Sequence, residues 1–149
     1  MRGATVIAAD LDDEKLALAR TLGAKYTYNT SKEWNLPAPD VVIEAVGAAP
    51  TYQLAVNKVA FTGRIVCIGY AKADIALTTS LFVKKELDIM GSRNANPSDF
   101  EAVIKYLTNS DAPVEKFISR IIKPAQADEA LKTWNEAPGK VFRILVKWE

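Results

Sequence analysis

The side chains best placed to do chemistry in this chain are acids at the ends of apolar runs, and the first is Asp10. It closes the run Ala4-Thr5-Val6-Ile7-Ala8-Ala9-Asp10, and Asp12-Asp13-Glu14-Lys15 follow with the acids that open a helix. A carboxylate at the carboxyl end of a strand, with a helix beginning just beyond it, hydrogen-bonds an adenosine ribose in dinucleotide-binding sheets. Such a sheet carries a glycine-rich phosphate turn roughly 20 residues before that acid. Nine residues precede Asp10, which is too few for that turn. The expectation is therefore a nucleotide-binding sheet without its first strand and phosphate loop.

Histidine is absent and Cys67 is the single cysteine. A Ser-His-Asp triad, a zinc centre built from Cys and His, and an internal disulfide are all excluded. Any metal would have to rest on oxygen ligands. The 149 residues suit one domain of ordinary size, and 49% hydrophobic with 25% charged residues is enough to bury a core. Acids and bases are interspersed and net charge is +1, which gives no footprint for nucleic acid or a membrane surface. No apolar run approaches the roughly 20 residues of a spanning helix, and no signal-peptide layout is visible. A cytoplasmic location is expected.

The elements that must position these groups alternate in type. A helix over 13–22 carries Leu16, Ala19 and Leu22 on one stripe, and Gly23 stops it. A short strand is expected at 25–29 and a loop from Ser31 to Pro39. The β-branched run Val41-Val42-Ile43-Glu44-Ala45-Val46-Gly47 suits a parallel strand buried on both faces. A helix from Pro50 places Tyr52, Ala55, Val56 and Val59 on one face. Arg64-Ile65-Val66-Cys67-Ile68-Gly69 reads as another buried strand. A connection with a helical piece near Leu81 to Lys85 then leads to a strand over Leu87 to Ser92. Ser98 and Glu101 suggest a capping box on a helix with Phe100, Val103, Ile104 and Leu107 as its apolar stripe. A strand at 117–122, a helix with Ala127, Ala130, Leu131 and Trp134, and a closing strand from Val141 to Trp148 complete the pattern. Alternating strands and helices imply βαβ units and a mainly parallel sheet.

Four stretches together resemble the zinc-type medium-chain alcohol and polyol dehydrogenases: VIAADLDDEKLALARTLGA at 6–24, DVVIEAVG at 40–47, GRIVCIGY at 63–70 and PAQADEALKTWNEAPGKVFRILV at 124–146. LDIMGSRNA at 87–95 is similar to the threonine, galactonate and related polyol branch. The resemblance covers essentially the whole chain but only the C-terminal portion of such an enzyme. It implies an α/β fold: a partial Rossmann doubly wound parallel sheet lacking its first strand, over residues 1–110. Residues 111–149 would be the C-terminal strand-helix-strand elements of the catalytic domain. It also implies hydride transfer between a secondary alcohol and NAD, with an alcohol or polyol as substrate. The full-length family member would use zinc, for which this chain holds no ligands.

The resemblance also assigns roles. Asp10 and Lys15 would meet the adenosine ribose, the acid disfavouring the 2′-phosphate of NADP. Val46 and Gly47 would line the adenine and ribose crevice, and Ile68, Gly69 and Tyr70 would meet the nicotinamide. Met90 and Ser92 would approach the carboxamide, and Arg143 would reach the pyrophosphate. The 87–92 strand would be a sheet edge that pairs with a second copy in a homodimer.

Each assignment has a plainer competitor. Asp10 could be a helix N-terminal acid, Lys15 a solvated helix residue, and Arg143 part of an exposed strand face. The two glycines could be ordinary turn residues. Glu44 and Asp88 read as structural, Cys67 as a core residue, and Trp34, Trp134 and Trp148 as packing residues. Two other functional readings stand beside the dehydrogenase: a non-catalytic dimerising or regulatory remnant, and a methyltransferase-like nucleotide-binding domain, whose second strand also ends in a ribose-binding acid.

Overall fold

The computed structural model of the protein describes residues 3–111 and 113–148. Its contacts divide into a first unit ending at Asn94 and a second starting at Ala95. Strands and helices alternate in the first: β1 (Ile7–Asp10), α1 (Asp13–Thr21), β2 (Tyr26–Asn29), β3 (Val41–Glu44), α2 (Ala49–Lys58), β4 (Arg64–Cys67), α3 (Ser80–Lys85) and β5 (Asp88–Gly91). Every strand pairing is parallel, as the alternation requires.

The strands form two sheets rather than one. β1 pairs with β2, and β3-β4-β5 make a separate three-stranded sheet with β5 at its outer edge. β1 and β3 stay apart, so each keeps one unpaired edge among the described residues.

Register sets the two faces of the larger sheet. Val42, Ile65 and Ile89 lie in one row, and Glu44, Cys67 and Gly91 in the next on the same face. Against that face α2 packs Ala55, Val56 and Val59, with Leu81, Phe82 and Leu87 at the margin. Lys85 closes the end of α2, its Nζ donating to the carbonyls of Asn57 and Val59 at 2.8 Å each; a cation there complements the helix dipole.

The opposite face corrects the expectation of a strand buried on both sides. Val41 is 50% and Ile43 63% exposed. Only one layer of helix covers this sheet among the described residues, and the hydrophobic run by itself cannot reveal how many layers a strand will meet. Boundaries also tighten: strands expected at 4–9, 41–46 and 87–92 are four-residue elements.

The second unit holds α4 (Pro97–Thr108), β6 (Arg120–Ile122), α5 (Ala127–Glu136) and β7 (Ile144–Val146), with β6 and β7 parallel. The cap of α4 differs from the one expected from Ser98 and Glu101. Pro97 occupies the first helical position, so Asn96 is the cap residue and Asp99 the third, and Asp99 accepts from the Asn96 N–H at 2.8 Å. The α4 stripe of Phe100, Val103, Ile104 and Leu107 is exposed. Trp34 packs edge-on against Tyr28 at 4.6 Å, as a packing residue should, whereas Trp148 is exposed and does not pack.

The one-sided sheet makes an unequal pair of substitutions. Ile65, 1% exposed, is expected to cost roughly 2–5 kcal/mol when changed to Ala. Ile43→Ala should stay within about 0.5 kcal/mol. Urea unfolding of both variants checks this, and a comparable loss for Ile43→Ala would mean that its face is covered after all.

Candidate functional site

In parallel α/β sheets the ligand crevice lies beyond the carboxyl ends of the strands. Two chain segments leave the β3-β4-β5 sheet there, Ala45-Val46-Gly47 after β3 and Ile68-Gly69-Tyr70 after β4. They lie back to back. Gly47 has φ +77°, and a Cβ on it would stand 2.7 Å from the backbone of Tyr70. A Cβ on Gly69 would overlap the Gly47 nitrogen and Glu44 Oε2 and lie 2.8 Å from the Val46 nitrogen. These glycines are therefore not interchangeable turn residues: each is required by close approach of the other segment.

Glu44 holds the first segment from below. It is 3% exposed, and its Oε1 accepts from the N–H of Val46 at 3.0 Å, the N–H of Gly47 at 2.9 Å and the Thr51 hydroxyl at 2.6 Å. Its main-chain carbonyl accepts from the N–H groups of Ile68 and Gly69 at 2.8 and 2.9 Å. Tyr52 completes the tie, its hydroxyl donating to the Gly69 carbonyl at 2.8 Å. Ser92 continues from β5 beside β4, its N–H donating to the Cys67 carbonyl at 3.0 Å. Val46, Gly47, Ile68, Gly69 and Tyr70 thus meet at one sheet end, with Met90 and Ser92 on the neighbouring strand. Tyr70 is 82% exposed, and Ile68 and Val46 are also open to solvent.

Asp10 ends β1 in the other sheet of the same unit. Its Oδ1 accepts from the Asp12 N–H at 3.0 Å. The cap of α1 is Asp12, which accepts from the N–H groups of Glu14 and Lys15 at 2.8 and 3.3 Å. Helix capping is thereby assigned to Asp12, leaving Asp10 outside that role. Asn29, opposite Asp10 in the register, donates to the Leu11 carbonyl at 3.1 Å and Asp13 Oδ1 at 2.9 Å, pinning the turn that follows the acid. Arg143 belongs to the second unit; it is exposed, and its carbonyl accepts from the Ser119 N–H at 2.8 Å.

Sequence reasoning missed Asn29, Thr51 and Tyr52. The available signal was Glu44, a charged residue inside an apolar strand, which requires buried partners. An open cleft of about 460 Å³ between α1, β2 and the following loop, lined by Asp13, Arg20, Tyr28, Asn29, Lys32 and Glu33 among others, contains none of the expected site residues. Among the described residues, no group of three or more His, Cys, Asp and Glu side chains could hold a metal, and no helix is long and apolar enough to cross a membrane.

Burial pushes the Cys67 thiol above its ordinary range; its hydrogen bond with Tyr52 opposes this, and the charge of Glu44 adds to it. Burial likewise raises the Tyr52 hydroxyl, with Cys67 and Glu44 contributing in the same direction. The thiolate is the nucleophile, so a thiol held protonated should react slowly. Alkylation of Cys67 by iodoacetamide at mildly alkaline pH, followed by mass spectrometry, is expected to be slower than for a free thiol and to accelerate in urea. Equal rates in both conditions would contradict the placement.

The fold is thus of the α/β class in which parallel strands alternate with helices, here with two glycine-ended strands meeting at one sheet end. The zinc-binding dehydrogenase family model matches residues 1–109. This chain belongs to that family. It is 27% identical to an uncharacterized zinc-type alcohol dehydrogenase-like protein of Haemophilus influenzae, covering 95% of this chain and 44% of the relative. It is 28% identical to the galactitol 1-phosphate 5-dehydrogenase of Escherichia coli K12, covering 94% of this chain and 46% of the relative. The fold matches, with TM-score 0.84 and 24% identity, a structure from Escherichia coli CFT073 described as a short chain alcohol dehydrogenase complexed with NADH; 97% of this chain and 44% of that one are covered. The chain therefore spans less than half the length of the relatives it matches.

The doubled glycine contact carries its own test. Gly47→Ala must adopt a left-handed conformation, which costs about 1–2 kcal/mol, and it must also displace Tyr70. A loss of stability above that range by urea unfolding is expected; a neutral effect would show that the two segments can separate freely.

Proposed function

We propose that this chain is the NAD-binding part of a zinc-type medium-chain alcohol or polyol dehydrogenase, an oxidoreductase of CH–OH groups. Residues 1–110 form the cofactor-binding portion, and residues 111–149 return to a catalytic domain. The observation that supports the reading is the meeting of Val46-Gly47 with Ile68-Gly69-Tyr70 at the carboxyl edge of a parallel sheet, packed with no space for a Cβ on either glycine. In parallel α/β sheets that edge is where a ligand binds, and a dinucleotide suits it.

Asp10 has one carboxylate oxygen engaged by the Asp12 N–H and offers the other to ribose hydroxyls, with Lys15 one helical turn on. Its charge disfavours a 2′-phosphate, which favours NAD over NADP. Val46 and Gly47 line the adenine and ribose part of the crevice. Ile68, Gly69 and Tyr70 face the nicotinamide, and Met90 and Ser92 the carboxamide. The bound nicotinamide supplies the hydride chemistry, and the side chains named here bind and orient it. The residues of this chain do not fit a zinc centre, and no role given to them runs through one.

Relatives named for galactitol 1-phosphate, D-arabitol phosphate and sorbitol favour a polyol as substrate of the whole enzyme. A cytoplasmic location is part of the same reading. A second reading rests on a specific observation: no histidine is present and no metal cluster exists among the described residues. On that reading the 149-residue chain binds or associates without turning over substrate.

NADH is expected to bind the purified chain saturably but more weakly than low micromolar, since none of the residues named above presents a helix N-terminus to the pyrophosphate. NADPH should bind more weakly still, and Asp10→Asn should weaken NADH. Fluorescence titration checks all three; equal affinity for the two cofactors would remove the role given to Asp10. The outer strand β5 is exposed at all four residues, an unpaired edge that can add a second strand. A homodimer through that edge is expected by light scattering, and a monomer at high concentration would remove it.

A further inference from the structure

Glu44 is 3% exposed and is given no contact with the cofactor itself, yet it hydrogen-bonds both segments that are given one. Resting on the proposed reading of the crevice, we propose that Glu44 is a positioning residue for dinucleotide binding: one buried residue that sets both segments at once. Its side chain fixes the first, because Oε1 takes the N–H groups of Val46 and Gly47 and the Thr51 hydroxyl. Its carbonyl fixes the second through the N–H groups of Ile68 and Gly69. The two segments then meet at Gly47 and Gly69 with no space for a Cβ on either.

Core packing alone does not account for this residue. An apolar side chain of similar volume would fill the same space, and buried carboxylates are costly unless hydrogen-bonded. What an apolar replacement cannot do is accept the two N–H groups of the β3–α2 turn. Left without an acceptor, those donors would turn toward other partners, and Gly47 would move with them. Oε2 is buried without a hydrogen-bond partner; it occupies the space that a Cβ of Gly69 would need. The carboxylate therefore also makes Gly69 obligatory, which lets the second segment lie directly against the first.

The test follows the amide NMR shifts of Val46, Gly47, Gly69 and Tyr70 during NADH titration of the full chain, with unfolding measured on each variant. Glu44→Leu is expected to weaken NADH at least tenfold while the chain stays folded. Glu44→Gln, which retains an acceptor for the two N–H groups, should restore affinity to within about threefold of the parent. Val59→Ala, a truncation of the core in the same unit that removes no hydrogen bond to either segment, should lose stability with little change in affinity. If Val59→Ala weakens NADH as much as Glu44→Leu at comparable stability loss, Glu44 is merely structural and the proposal is overturned. Unchanged affinity in Glu44→Leu, or no rescue by Glu44→Gln, overturns it as well. Absence of any NADH binding by the parent chain would instead overturn the cofactor reading and the proposal that rests on it.

Discussion

An acid buried at the end of a parallel strand needs donors close at hand. Glu44 finds them for one carboxylate oxygen, Oε1, in the chain that leaves the sheet, while Oε2 stays without a partner among the described residues. A carboxylate taken out of water is costly, so folding can bury Glu44 only where donors converge on it. The N–H groups of Val46 and Gly47 and the hydroxyl of Thr51 supply them. This requirement dictates the sharp turn between β3 and α2, places Gly47 at positive φ, and brings Tyr52 to the Gly69 carbonyl. The rest of the larger sheet depends on that corner. α2 emerges from it at the angle that lays Ala55, Val56 and Val59 over Ile65.

The second constraint is the separation of two parallel sheets within one unit. β1-β2 and β3-β4-β5 each satisfy their internal ladders, and neither borrows the other's free edge. Each retains helical cover on at least one side, α1 against the first and α2 against the second. The outer face with Val41 and Ile43 is left apolar and open. Unpaired edges and apolar faces of this kind are what a further strand and helix would cover in a doubly wound fold. The same separation puts Asp10 at the end of one sheet and the paired glycines Gly47 and Gly69 at the end of the other.

The site is built mostly from backbone. Val46, Gly47, Ile68 and Gly69 present main-chain groups and small or aliphatic surfaces, and the polar side chains that matter most, Glu44, Thr51 and Tyr52, work behind them. Asn29 plays the corresponding part at the other sheet by pinning the turn after Asp10. The arrangement of the main-chain groups is fixed by main-chain hydrogen bonds and by close contact rather than by exposed acid–base side chains.

Much of this was legible in the residues themselves, because it depends on local chemistry. Strand and helix type follow from hydrophobic period and from acids, prolines and glycines at element ends, as at Asp12, Pro97 and Gly63. The parallel arrangement follows from their alternation, and the absence of a Cys/His metal site follows from composition. What only the tertiary structure decided is how many layers cover a strand and which donors reach a buried acid. Val41 and Ile43 read as core because apolarity is a property of the side chain, whereas burial depends on whether another element arrives. Glu44 read as structural because its partners are the backbone N–H groups of a turn, which carry no sequence identity and become visible only when the chain is folded around them.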